Sequence, residues 1–218
     1  GKPNLDRRAR RHQATKDEIV TAAWEVAREK GLAALTLKDV ASRVGMRAPS
    51  LYGYFAAKND IYDAMFAQGN EEFLAFIDER RATLPDSPLD RLRMIFQTFF
   101  DFCTADVTRY QLLFQRTIPG FVPSEGSYEK AIAVLTSFRL CLAEVGLVGD
   151  QADEDLITAL TTGLVDQQIS NDPGGNRWGR LLDDAADMAY EYVTNKHAQD
   201  SGSKAPAEMG GRLEVTET

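Results

Sequence analysis

Apolar residues recur three and four apart along most of the chain, which predicts an all-α fold of about nine helices. Ile19, Ala22, Ala23, Val26 and Ala27 form the first stripe. Thr15 and Glu18 make a T-x-x-E capping box that places its start at Thr15, and Gly31 ends it. Thr36 caps the next helix, with Asp39 three residues on, and Leu37, Val40, Ala41 and Val44 are its buried side. Gly45 supplies the backbone freedom to end it. Ala48, Leu51, Tyr52 and Phe55 repeat the spacing. Two helices of about two turns each, joined by a turn containing glycine, form a helix-turn-helix.

Downstream the pattern lengthens. A helix opens at Lys58 and Asp60 and runs to about Arg81, with Ile61, Met65, Phe66, Phe73, Leu74 and Ile77 inward. Residues 84–88, LPDSP, break the chain, and Ser87-Pro88-x-Asp90 starts a new helix. Leu89, Leu92, Ile95, Phe96, Phe99, Phe100 and Phe102 cover more than one face of it, so it is buried from several sides. A short helix over 108–117 carries Tyr110, Leu113 and Phe114. Residues 118–123 form an apolar loop with two prolines that either caps a pocket mouth or packs on the core. The helix over 124–146 places Ile132, Leu135, Phe138, Leu142 and Val145 inward. Helices over 150–170 and 178–196, joined by Asn171-Asp172-Pro173-Gly174-Gly175, form an αα-hairpin. Four segments follow: a basic flexible arm (1–14), a three-helix head (15–62), a helical body (63–196) and a disordered tail (197–218).

Charge sharpens this division. The chain is −8 overall. Residues 1–62 hold 12 Lys+Arg and 7 Asp+Glu, net +5, and residues 63–218 hold 13 and 26, net −13. A basic head on an acidic body directs only the head to phosphate. In the arm, Arg10 and Arg11, with Arg7 and Arg8, either stay solvated or follow a DNA backbone. The start of the Thr36-capped helix favours a phosphate, which makes Thr36 and Lys38 candidate contacts. Arg47, Pro49, Ser50, Gly53 and Tyr54 lie off the buried stripe of the second helix, where a major groove would meet them. Pro49 is tolerated in a first turn. Gly53 costs about 1 kcal/mol inside a helix, so either close approach to DNA or a packing neighbour accounts for it.

The segment from about Glu18 to Met65 resembles the N-terminal domain of the tetracycline-repressor (TetR/AcrR) family of bacterial transcription regulators. The resemblance rests on Ile19, Ala23, Gly31, Thr36, Val40, Ala41, Val44, Gly45, Leu51, Tyr52, Phe55, Lys58 and Ile61. It implies base reading by Arg47, Ala48 and Pro49, and phosphate contacts by Ser50, Tyr52 and Lys58. Tyr52, shared with the apolar stripe, would turn only its hydroxyl to DNA. The family often has His where this chain has Tyr54, so Tyr54 is a candidate DNA contact at a position where this chain departs from the family pattern. The resemblance also implies a small-molecule effector in the body. Phe96, Phe99 and Phe100, with Phe66, Tyr110, Phe114 and Phe138, are the candidate lining, though an ordinary core accounts for the same residues. The final hairpin would pair with its symmetry mate through Leu160, Gly163, Leu164, Leu182, Ala186, Ala189 and Val193.

Other chemistry is not called for. The two histidines lie near opposite ends, no nucleotide, metalloprotease or nucleophile-elbow motif occurs, and no Cys/His cluster has metal spacing, so neither an enzyme nor a cofactor or metal is expected. Acidic residues 150–155 read as a helix start complementing the dipole. Cys103 and Cys141 read as buried thiols of a cytoplasmic protein, and no apolar run is long enough for a membrane. The expectation is a homodimeric, ligand-responsive regulator, most simply a repressor, on a pseudo-palindromic DNA operator. An activator or a co-repressor-dependent regulator of the same fold, or a helical binding module without DNA function, is the alternative.

Overall fold

The computed structural model describes residues 2–147 and 150–203, with side chains over 7–147 and 150–199. Among these residues there are nine α-helices and no strand: α1 (Lys2–Lys30), α2 (Leu37–Arg43), α3 (Ala48–Leu51), α4 (Lys58–Arg81), α5 (Pro88–Ala105), α6 (Val107–Phe114), α7 (Glu125–Glu144), α8 (Gln151–Asn171) and α9 (Leu182–Ser203). No described helix is long and apolar enough to cross a membrane.

The helix starts are set by small polar side chains that satisfy otherwise orphaned N–H groups. The Thr36 hydroxyl accepts from Asp39 N at 3.1 Å and donates to the Asp39 carboxylate at 2.7 Å. A hydrogen bond from Lys30, then that from Thr36, holds the Asp39 carboxyl below the usual carboxylate range. Ser87, Asp106, Ser124 and Asp150 cap α5, α6, α7 and α8 in the same way. Gly31 and Gly45 take φ of 87° and 68°, the left-handed conformation that closes α1 and α2.

Helix α1 departs from the expected start at Thr15 and begins at Lys2, so the basic stretch lies on a helix. The Thr15 hydroxyl does not cap. It donates back to Arg11 O at 3.1 Å, and the arginines around it are good helix formers. At the other end α9 continues to Ser203 beyond the expected Lys196; the rest of the expected tail, 204–218, lies outside the described residues.

Two apolar clusters result. The head core joins α1, α2, α3 and the start of α4 around Ile19, Ala23, Leu35, Val40, Leu51, Ile61 and Met65, with Leu112 of α6 entering it. The body core joins α5, α7, α8 and α9 around Leu92, Phe96, Cys103, Leu142, Ile157 and Val165, with Phe73 of α4. Helix α4, about 36 Å long by its 24 residues, runs from one to the other. Burial pushes the Cys103 and Cys141 thiols up, so both stay protonated at neutral pH.

The α8–α9 hairpin is stapled at both ends. At its turn, buried Gln168 accepts from Trp178 N at 2.9 Å and from Gly179 N at 3.3 Å. At the open end, Asp153, only 1% exposed, accepts from Lys196 Nζ at 2.8 Å and faces His197 Nε2 at 3.1 Å. Of the acidic run, then, Asp150 and Asp153 are partners of α9. Burial alone would push the Asp153 carboxyl up, but the hydrogen bonds from Lys196 and His197 outweigh it and leave it below its ordinary value. A depressed carboxyl contributes stability that is present above the unfolded pKa and lost as pH falls through the folded one. Asp153→Asn should therefore cost about 1–2 kcal/mol at pH 7, roughly 2–8 °C in Tm for a chain of this size. Thermal melts across acid pH should also show that variant losing less on acidification below about pH 4 than the parent chain.

Candidate nucleic-acid interface and ligand cavity

Helix α3 is a single α-turn. Residues 52–54 continue as turns, and Phe55 regains the core through Phe55 N to Leu51 O at 2.9 Å. This shift of phase corrects the expected stripe: Tyr52 is 59% exposed and contributes to the surface. Lys38, Arg47, Pro49, Ser50 and Gly53 are exposed as well, with Thr36, and Ala48 is half-buried against the head core. Arg47 occupies the N-cap position of α3 without using its side chain there. A Cβ on Gly53 would meet only Ser50 O, at 3.4 Å, so no packing neighbour requires that glycine.

Not every cation of the head is available. Arg43 pairs with Glu25 and Glu29, Lys30 with Asp39, and Arg28 with Asp106. No carboxylate among the described residues pairs with Lys38 or Arg47. Lys58 is more committed than expected: its ammonium donates to Ala33 O at 3.2 Å and lies 5.2 Å above the Tyr62 ring. Arg10 and Arg11 stand exposed on α1. That end of α1 is fastened to the turn after α3 by His12 stacking on Tyr54, ring centroids 4.7 Å apart. The family-atypical tyrosine is therefore a half-buried stacking partner.

The second feature is a cavity of about 300 Å³ in the body. Phe73 and Ile77 of α4, Ile95 and Phe99 of α5, Leu113 and Phe114 of α6, and Val134 and Phe138 of α7 supply its apolar wall. Thr98, Thr158, Thr161 and Thr162 line it from α5 and α8, Asn70 closes one end, and Arg80, Arg81 and Leu84 stand at the other. Both arginines are already paired, Arg80 with Asp101 at 2.9 Å and Arg81 with Glu144 at 2.7 Å. Of the seven expected lining residues, Phe99, Phe114 and Phe138 line the cavity. Phe66 belongs instead to the head core, and Phe96 and Phe100 to the body core. Tyr110 is buried with its hydroxyl on Asp166 at 2.7 Å. Burial and then that carboxylate push its phenol up. Aromatic count could not separate these roles, because helix phase decides them. Asn70 was the legible signal: it is a polar residue on the apolar face of α4 between Phe66 and Phe73. The loop over 118–123 packs on the head, with Phe121 against the Tyr62 and Phe66 rings.

Helix α6 joins the two regions. Arg28 of α1 donates to Asp106 Oδ2 at 3.0 and 2.7 Å, while Asp106 Oδ1 caps α6 through Arg109 N. Gly69 of α4 admits α6 closely, since a Cβ there would stand 3.1 Å from the Leu113 side chain.

The expected dimer residues divide. Leu182, Ala186, Ala189 and Val193 are buried within the chain, against a body core to which Arg93 ties α9 through Asp187 at 2.8 Å. They cannot meet a second copy. Gly163 is exposed, Leu160 and Leu164 are half-buried, and Leu156, Met188 and Tyr192 stand exposed beside them on the hairpin.

A three-helix head carrying a helix-turn-helix, set on a helical body with an apolar cavity, defines a class of helix-turn-helix proteins. Residues 19–65 match the model of the bacterial regulatory proteins, tetR family. The chain is 30% identical over 98 residues to the HTH-type transcriptional activator FasR of Mycolicibacterium smegmatis, covering 45% of this chain and 44% of that one. It is 31% identical over 100 residues to the HTH-type transcriptional repressor KstR2 of Mycobacterium tuberculosis, covering 44% and 48%. The matches thus span just under half the length of these relatives. The fold resembles that of the transcriptional regulator FadR from Bacillus subtilis, solved in complex with stearoyl-CoA, with a TM-score of 0.58 at 17% identity over 79% of this chain and 96% of that one. Residues 19–65 thus resemble the DNA-binding domain of the tetR family, and the remainder shares the fold of solved regulators.

Gly69→Ala tests the fit of α6 on α4. Alanine gains about 1 kcal/mol of helix propensity, and Leu113 can yield by a few tenths of an ångström because the cavity lies beyond it. The expected outcome is a slightly raised Tm, roughly 1–3 °C, together with several-fold weaker binding of any cavity ligand, measured by calorimetry.

Proposed function

We propose that this chain is a homodimeric DNA-binding transcriptional regulator, a repressor whose hold on a pseudo-palindromic operator is released by an apolar effector in the body cavity. The observation that carries this reading is the shared frame of head and cavity. Helices α4 and α6 each place side chains in the head core and in the cavity wall, so a ligand that moves either helix also moves the reading surface. Arg47, Ala48 and Pro49 read bases at the start of α3. Thr36, Lys38, Ser50 and Tyr52 take phosphates, exposed Gly53 lets backbone and DNA approach, and Arg10 and Arg11 follow the flank. Lys58 acts by holding the start of α4 in place, and Tyr54 by fixing α1 beside the reading turn.

The dimer forms through the outer face of the α8–α9 hairpin, where Leu156, Gly163, Met188 and Tyr192 present an apolar surface. Two heads then engage successive major grooves about 34–36 Å apart. The relatives include both a repressor and an activator; release by ligand is the simpler linkage, in which ligand and DNA each weaken the other by the same factor. The FadR structure with stearoyl-CoA supports an elongated apolar effector.

Selection of binding sites from random duplexes, followed by gel shift at physiological salt, tests this. Arg47→Ala should relax preference at particular base pairs, costing about 1–3 kcal/mol at them. Lys38→Ala should weaken all sequences alike and lower the salt slope by about one. Absence of any selected sequence removes the regulator reading. Tyr192→Glu should give a monomer by light scattering and lose operator binding while keeping the helical spectrum, because the side chain is 56% exposed and outside the core.

A further inference from the structure

The polar atoms of the cavity point to the chemistry of what fills it. Thr98 is 6% exposed and Thr161 5% exposed, and both line the cavity. Each has spent its proton: Thr98 Oγ1 donates to Met94 O at 2.6 Å, and Thr161 Oγ1 to Ile157 O at 3.0 Å. Thr162 does the same toward Thr158 O at 2.7 Å. A hydroxyl that donates keeps lone pairs free to accept. Asn70, 3% exposed at the deep end, donates to Phe66 O at 2.9 Å, and its side-chain carbonyl accepts no hydrogen bond among the described residues. The inner wall on α5 and α8 is therefore rich in acceptors with no donor of their own to meet. The opposite wall on α4, α6 and α7 is apolar apart from Asn70 at its deep end, and the charged groups, Arg80 and Arg81, stand only at the far end, each paired with one carboxylate.

A plain hydrocarbon chain would leave these buried acceptors dehydrated and unpaired, which is unfavourable. A carbonyl in mid-ligand would meet acceptors with an acceptor. We infer that the effector is an elongated apolar molecule carrying a hydroxyl along its length, which donates to the Thr98–Thr161 wall. Its anionic or polar end lies at Arg80 and Arg81, about 16 Å from Asn70 along α4. This rests on reading the cavity as the effector site.

Three probes of one skeleton separate the possibilities: dodecanoate, a mid-chain hydroxydodecanoate and the matching oxododecanoate, each titrated calorimetrically into the full chain. The hydroxy acid should bind about tenfold more tightly than the other two, the value of one net hydrogen bond. Thr98→Val and Thr161→Val, made singly and together, keep side-chain shape and remove the acceptors. They should erase the hydroxyl preference and, by removing acceptors that a hydrocarbon leaves unpaired, tighten dodecanoate binding rather than weaken it. If all three probes bind equally, if the oxo acid binds best, or if the preference survives in the valine variants, the inference is overturned and the cavity reading stands. If none binds, both fall.

Discussion

Leu112 and Leu113 are neighbours in the chain: the first belongs to the head core, and the second packs against both cores. Leu112 is buried in the head core, and Leu113 rests on Gly69 and faces the cavity. Burying one such side chain contributes about 1.5–3 kcal/mol, so neither can leave its site without a measurable cost. Helix α6 is thereby fixed to both cores, with Arg28 and Asp106 holding its first turn to α1. Packed interiors deform in steps rather than continuously. A short helix pinned in this way couples the packing of the cavity wall to that of the head core.

Electrostatics divide the same frame. Cations that build the head, such as Arg43, Lys30 and Arg28, are consumed by carboxylates on neighbouring helices. Lys38 and Arg47 have no carboxylate partner among the described residues, and the acidic body beyond α4 sets them in a field of opposite sign. The net positive charge of the first 62 residues overstates the reading surface, because much of it is internal structure.

The boundaries of α2, α5 and α8 were legible because their caps are local: Thr36, Ser87 and Asp150 bond to an N–H three residues on. Helix α1 was not, since the same Thr15 hydroxyl can cap a helix or bond back to the preceding turn, and helical arginines upstream decided between them. The exposure of Arg47, Pro49 and Ser50 was legible. The apolar stripe failed at Tyr52, where a one-turn α3 changes the phase that the spacing assumed, and the contact of Lys58 with Ala33 O was hidden because only the fold brings the two together.

The sequence by itself determined the all-α architecture, the helix-turn-helix and the split between a basic head and an acidic body. Each is written in spacings of three and four or in net charge, and needs no distant contact. The tertiary structure alone decided which phenylalanines line a cavity and which fill a core, and which face of the α8–α9 hairpin stays exposed. The physical reason is rotation about the helix axis. Neighbouring positions on an apolar helix differ by about 100°, so Phe99 and Phe100 look alike in the chain and face different surroundings once α5 is packed among α4, α8 and α9.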